Sequence, residues 1–346
     1  MSVNLCPPSE ENNKRWDDFV AQNTNAGHCH LSGWQYVISK SYGHQPLYLW
    51  DENDGIINGI LPLVSMQNLR FSRSFVSLPF LDDGGICANA QIVKEGLYKK
   101  ALALADETQV ASLDFRHRHA SGLDLPAHGE KVTLVLKLLK DPDLLWKGFN
   151  AKLRNQIRKP QKSGLTASWH GLEGLKDFYD VFAINMQALG SPVHGLKFFA
   201  EILKTFKESA KIILVKKEGK TIGGGICLYF KDTVQIPWAS SLKSHIKLCP
   251  NNLLYWETIR WASEAGYERF DFGRSSPGSG TYRFKTQWGA EVEPLHWGYY
   301  SKKGDHKGAM IHSDDARYNL VTQAWRKLPL PLTKLIGPII RRRLSN

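Results

Sequence analysis

An α/β (α+β) fold carrying an internal duplication is what this sequence predicts, on three observations. With 42% hydrophobic and 23% charged residues, and with 11 Trp, 15 Phe and 12 Tyr, there is apolar material for packed cores, which excludes a mostly disordered chain. The 346 residues are about twice an ordinary domain. One block of elements also occurs twice. Pro46 to Val64 reads as two apolar runs about Asn53-Asp54-Gly55, a β-hairpin, and Lys211 to Phe230 reads the same way about Glu218-Gly219-Lys220. After the first hairpin come Pro79-Phe80, a helical spacing over 95–107 and a strand over 111–116. After the second come Pro237-Trp238, a helical spacing over 252–265 and a strand over 271–274. Pro79 answers to Pro237 at an offset of 158, and Asp114 to Asp271 at 157. Such near-equality marks a repeated unit. The expected divisions are 1–145, 146–300 and a basic tail, 301–346.

Between the blocks, helical spacing covers 142–159, 172–189 and 196–209. Phe178, Phe182, Ala183, Met186 and Leu189 form an ordinary core face. Gly190-Ser191-Pro192 ends the second helix, and Pro160 should stop the first near Lys159. Gly223-Gly224-Gly225 falls inside a strand and precedes no helix, so it reads as a bulge or a close backbone approach rather than a phosphate loop.

Several function classes are disfavoured at once. No run of about 18 apolar residues occurs, and the first residues lack the basic-then-apolar order of a signal peptide, so a cytoplasmic protein is expected. Five cysteines, far apart and without CxxC spacing, support neither a disulfide framework nor a zinc site; Cys249 reads as a small buried residue. His117 and His119 read as a solvated basic turn without metal. The net charge of +12 is local: 301–346 carries +7, 147–162 carries +6, and the rest is −1. Two basic patches on a near-neutral body suit phosphate groups or an anionic membrane surface, not a coat for duplex DNA. In the tail, Arg341, Arg342 and Arg343 beside Leu335, Ile336, Ile339 and Ile340 suit either a peripheral membrane anchor or a segment packed on the body.

Three segments carry a family resemblance. Lys152-Leu-Arg-Asn-Gln-Ile-Arg-Lys159, followed by Lys162-Ser-Gly164, is similar to the basic helix of Fem-like aminoacyl transferases. Asp271-Phe-Gly-Arg-Ser-Ser276 and Gly280-Thr-Tyr-Arg-Phe-Lys285-Thr-Gln-Trp-Gly289 follow that family's order of strand, loop and Tyr-x-Phe-Lys. The block order resembles a GNAT-type acyltransferase domain, and two in tandem resemble the FemABX architecture over about residues 10 to 300. Leu189-Gly-Ser-Pro-Val193, Pro250-Asn-Asn252 and the Phe284–Glu291 stretch look most like the branch associated with exosortase and PEP-CTERM systems. The resemblance implies two tandem GNAT-like domains, the second holding the active site. The implied activity is transfer of an aminoacyl or acyl group to an amine of a cell-envelope or exopolysaccharide precursor, without metal or bound cofactor. It implies aminoacyl-tRNA rather than acyl-CoA as donor, because Ser240 to Asn252 lacks the glycines with which CoA-dependent relatives cradle a pyrophosphate. Two alternatives stand beside it: a CoA- or carrier-protein-dependent N-acyltransferase, and a non-catalytic module binding a phosphorylated glycan or RNA.

Acyl transfer needs the developing oxyanion stabilised, for which a fixed positive charge suffices. By the resemblance, the Phe284-Lys285 pair is implicated in that stabilisation, the charge being that of Lys285 in a strand-like run beside aromatic residues, unless Lys285 is merely a solvated strand residue. Asp271 either orients or deprotonates the acceptor amine or, as its counterpart Asp114 suggests, is scaffold; Arg274 either grips an anion or closes the loop with Asp271. Arg154 and Arg158 share a helix face, with Lys147 further back and Lys159 adjacent, and can meet phosphates. Asn251 and Asn252 are ligand contacts or plain N-caps. Trp238, Ser275 and Tyr282 complete the candidate substrate-binding set.

Overall fold

The computed structural model describes residues 3–69, 71–126, 131–302 and 316–345, with 316–319 as backbone only. The chain forms two compact units: Met1–Lys131 with Pro294–Met310 and Ile340–Asn346, and Val132–Glu293 with Ile311–Ile339. In chain order the first unit holds β1 (Val3–Leu5), α1 (Glu10–Gln22), α2 (Gly33–Tyr42), β2 (Gln45–Asn53), β3 (Ile56–Gln67), β4 (Arg73–Ser77), β5 (Cys87–Ala88), α3 (Gln91–Glu107) and β6 (Ser112–His117). The second holds β7 (Val132–Lys137), α4 (Pro142–Gly148), α5 (Ala151–Lys162), β8 (Leu165–His170), α6 (Leu175–Leu189), α7 (Leu196–Thr205), β9 (Ala210–Lys217), β10 (Lys220–Phe230) and β11 (Thr233–Ser241). It continues with α8 (Pro250–Glu264), β12 (Arg269–Ser275), α9 (Gly280–Thr286) and β13 (Glu291–Pro294). Then β14 (His296–Ser301) returns to the first unit, and α10 (Ala316–Lys327) and α11 (Leu330–Arg341) follow.

The duplication is visible strand for strand. One sheet runs β1-β2-β3-β4-β6-β14, and the corresponding strands of the other are β8-β9-β10-β11-β12-β7. Every pairing is antiparallel in both, except β4–β6 and β11–β12, which are parallel in both. The two hairpins even share turn chemistry. Asp54 and Gly55 have φ of 50° and 81°, and Glu218 and Gly219 have 50° and 77°. Successive left-handed residues make the two-residue turn whose twist matches the flanking strands.

Each unit takes its closing strand from the other half of the chain, so the domain limits differ from those expected. A boundary at 145 would leave β7 in the first unit. Its ladder with β12, from Arg269↔Lys137 to Ser275↔Val132, holds it in the second. Likewise β14 pairs with β6, Tyr299 opposite Asp114.

Local corrections have local causes. The helix expected over 142–159 divides, because the Asn150 carboxamide accepts from the Leu153 N–H at 2.9 Å and caps a new helix, α5. Pro160 does not stop α5 at Lys159; in the last turn a proline removes only one intrahelical N–H, and the helix runs on to Lys162. Helix α7 ends at Thr205, short of the expected 209. In β10 a Cβ on Gly224 would lie 3.0 Å from the Leu214 side chain and 3.1 Å from the Ile213 carbonyl, and the register with β9 shifts between Thr221 and Gly223. Both expected roles of the glycine run are met there.

The second unit's core gathers Leu153, Ile157, Leu254, Ile259, Phe270, Phe272 and Trp288 from α5, α8, β12 and the segment after α9. The first unit's core carries a buried cation. Arg116, 1% exposed, donates to Leu81 O at 2.8 Å, to Asp114 Oδ2 at 3.1 Å and to Ser345 O at 3.0 Å, with its guanidinium 4.7 Å from the Trp297 ring. The tail does pack on the body where it is described. Lys334 pairs with Asp180 at 2.6 Å and Gly337 sits against Val193 in the second unit, while Phe80 N donates to Ser345 O at 2.9 Å in the first. Leu335 and Ile339 nevertheless remain exposed.

Two predictions follow from the buried charges of the first unit. Arg116→Met strips the Asp114 carboxylate of its partner and should lower unfolding free energy by about 3–5 kcal/mol in urea titrations. Burial pushes the His117 imidazole down to about 4. A histidine held neutral in the fold contributes fully above the unfolded value near 6.5 and loses stability as pH falls from there towards 4. Urea unfolding at pH 5 should therefore show about 2 kcal/mol less stability from this group than at pH 7.5.

Candidate active site

The site is built on a kink in β12. Gly273 has a φ of 73°, and the register between β12 and β7 shifts between Asp271 and Arg274. A side chain at this φ would be strained, so glycine permits the bulge. Asp271, 1% exposed, holds it: Oδ1 accepts from Gly273 N at 2.7 Å and from the Thr133 hydroxyl of β7 at 2.6 Å. The bulge presents two successive carbonyls to Lys285. The ammonium, on a residue 7% exposed, donates to Gly273 O at 2.8 Å and Arg274 O at 2.9 Å.

Lys285 reaches them from a helix, not from the expected strand-like run. Ser279 Oγ accepts from Tyr282 N at 3.2 Å, which caps α9 and makes Gly280–Thr286 helical. Phe284 and Tyr282 pack against the core, with Phe284 5.3 Å from the Tyr255 ring and 6.2 Å from Trp288. That apolar wall lowers the local dielectric, in which a fixed ammonium acts more strongly than in water. These two bonded carbonyls are neutral and fix the direction of the ammonium. Beside it in β12, the buried Ser275 hydroxyl has no hydrogen-bond partner among the described residues.

Thus the structure brings together Asp271, Arg274, Ser275, Tyr282, Phe284 and Lys285. The remaining candidates have other contacts. Arg154 and Arg158 do share a face of α5, but Lys147 is on the separate α4; Arg158 lies over Trp146 at 5.2 Å, and Lys159 is exposed. Trp238 is buried among aromatics, 5.5 Å from both Phe198 and Phe199. Asn251 and Asn252 are not N-caps, because Cys249 occupies that position and Pro250 begins α8. Asn251 accepts from the Ser241 hydroxyl, and the buried Asn252 carboxamide nitrogen has no partner among the described residues.

Sequence reasoning missed Thr133, which lies far away in sequence, and the task of Gly273. The signal for the latter was present: Asp114-Phe115-Arg116 and Asp271-Phe272-Gly273 are the same position of the two copies, differing in the third residue. The described cavities lie elsewhere, one of about 150 Å³ at His30, Lys94 and His117 in the first unit. His117 is itself buried, not a solvated turn. Among the described residues no group of three or more His, Cys, Asp or Glu is placed to hold a metal, and no helix is long and apolar enough to cross a membrane.

Comparison with known proteins agrees with this fold. Residues 147–286 match the acetyltransferase (GNAT) domain family. The lipid II:glycine glycyltransferase of Staphylococcus aureus (strain MRSA252) is 23% identical over 230 residues, 60% of this chain and 54% of that one. The chain therefore spans about half the length of that relative. The UDP-N-acetylmuramoylpentapeptide-lysine N(6)-alanyltransferase of Weissella viridescens is 20% identical over 281 residues, covering 75% and 83%. Among solved structures, FemX superposes with a TM-score of 0.70 at 16% identity over 87% of this chain and 97% of that one. Two units with matching strand order, a GNAT match within the second and the FemX superposition give the chain the fold of two GNAT-type units in tandem, and in sequence it is similar to the two Fem-type transferases named above.

Proposed function

We propose that the chain transfers an aminoacyl group from an aminoacyl-tRNA to an amine of a cell-envelope precursor, with the chemistry in the second unit. The observation that carries this reading is the buried Lys285 ammonium, aimed by the carbonyls of Gly273 and Arg274. The relatives named above are a glycyltransferase of lipid II and an alanyltransferase of a UDP-linked muropeptide, and both reactions form an amide from an amine. In the proposed step the neutral acceptor amine attacks the ester carbonyl carbon, and the carbonyl oxygen becomes an oxyanion facing Lys285. Collapse then breaks the ester C–O bond, and the ribose hydroxyl leaves with the proton shed by the amine. Arg154, Arg158 and Lys159 would meet phosphates of donor or acceptor. A lipid-linked acceptor would be reached at a membrane surface, making this a peripheral protein; an exopolysaccharide precursor is the other acceptor class to assay. CoA suits the second unit poorly. The turn before α8, where such a donor's pyrophosphate would lie, has no glycine, and Pro250 at its start has no N–H to offer.

Asp271 acts in this proposal as a positioning residue, since Oδ1 is engaged by Thr133 and Gly273. Transfer of radiolabelled amino acid from charged tRNA to UDP-linked or lipid-linked muropeptide tests the whole reading; transfer from acetyl-CoA instead, or ligand binding with no transfer, would replace it. Within that assay, Lys285→Met should lower kcat by about 10²–10³ with KM changed only a few-fold. Asp271→Asn, which keeps an accepting oxygen, should lower the rate uniformly across pH. Loss of the acid limb of the pH profile in that variant would instead make Asp271 the general base.

A further inference from the structure

The first unit has an arginine-lined cavity that the transfer chemistry does not use. About 280 Å³ in volume, it lies at one end of the sheet, where Gln45 pairs with Ser65 and Gln67 with Arg73. Arg73, Arg342 and Arg343 line it together with Tyr42 and His44, and no carboxylate does among the described residues. Of these, Tyr42 and His44 are buried, 7% and 9% exposed, and the His44 Nε2 has no partner among the described residues. At about 30 Å³ per water, the space holds on the order of nine waters, room for a glycerophosphate and little more. Beside it stands the β3–β4 turn with two exposed apolar side chains, Leu69 at 47% and Phe71 at 66%. The two features are tied together: the Arg343 guanidinium lies 4.4 Å from the Phe71 ring and donates to Asn68 O at 3.4 Å.

We propose that this cavity seats the phosphate headgroup of an anionic phospholipid, with Leu69 and Phe71 entering the bilayer interface. Three arginines without an acid supply the charge complementarity, and the aliphatic Leu69 beside them favours a lipid surface over a nucleic acid. The idea rests on the membrane-borne acceptor of the preceding reading, but it concerns binding alone, so its test needs neither donor nor acceptor. Flotation of the full chain with phosphatidylcholine vesicles, with and without phosphatidylglycerol, should show binding only when the anionic lipid is present. Arg342→Glu and Arg73→Glu, both at exposed residues, should each weaken that binding by about tenfold, and Arg342→Gln by less. Phe71→Ser should weaken it as well, while transfer to a soluble UDP-linked muropeptide stays unchanged. Equal flotation on both vesicle types, or wild-type binding by these variants with unchanged melting temperatures, would overturn the proposal. So would saturation by glycerol phosphate in solution without flotation, which assigns the cavity to a soluble phosphate, or loss of tRNA retention in Arg342→Glu with flotation intact.

Discussion

Everything at the candidate site depends on one glycine being free to bend. Gly273 adopts a left-handed φ in the middle of a strand, and the Asp271 carboxylate pins its N–H while the neighbouring carbonyls turn towards Lys285. A buried ammonium without such acceptors would be expensive to hold in an apolar wall. The bulge therefore makes the charge tolerable and fixes its direction in the same stroke. Thr133 extends the support into β7, so the orientation of one lysine draws on two strands and a capped helix.

The two copies show how little separates a scaffold from a site. Both place an aspartate on the strand that pairs in parallel with the hairpin's partner, Asp114 in β6 and Asp271 in β12. In the first, the residue two places on is Arg116, whose side chain fills the space beyond the strand and bonds Asp114, Leu81 and Ser345. In the second it is Gly273, which leaves no side chain there. The first copy thus commits this space to a guanidinium, whereas the second holds the Lys285 ammonium against the carbonyls of Gly273 and Arg274.

Much of this was legible in the sequence because it is written in short-range signals. The hairpins announce themselves by Asp54-Gly55 and Glu218-Gly219, residues that take the left-handed turn, and the repeat by near-constant spacing between prolines and aspartates. The restart of a helix at Asn150 was also local, but an apolar period running through it hid the cap. The swapped closing strands could not be read at all. Val132–Lys137 follows the first copy directly, and only a ladder to residues more than a hundred positions away assigns it to the second. Lys285 looked strand-like because Thr281-Tyr282-Arg283-Phe284 alternates in polarity; the deciding signal was the capping Ser279, which lies before that run. The arginine cavity was hidden for the same reason as the strands, since Arg73 and Arg342 are brought together only by the tertiary fold.

The exchange of closing strands also shapes the order in which this polypeptide can be completed on the ribosome. The sheet begun by the first 117 residues waits for His296–Ser301 to cover its β6 edge, and Arg116 waits for Ser345. Until then the nascent first unit exposes an open strand edge and a cation lacking one of its acceptors, conditions that invite association with other chains. The second unit, by contrast, has all of its strands once residue 294 has emerged. Synthesis therefore favours maturation of the half that carries Lys285 before the half that precedes it.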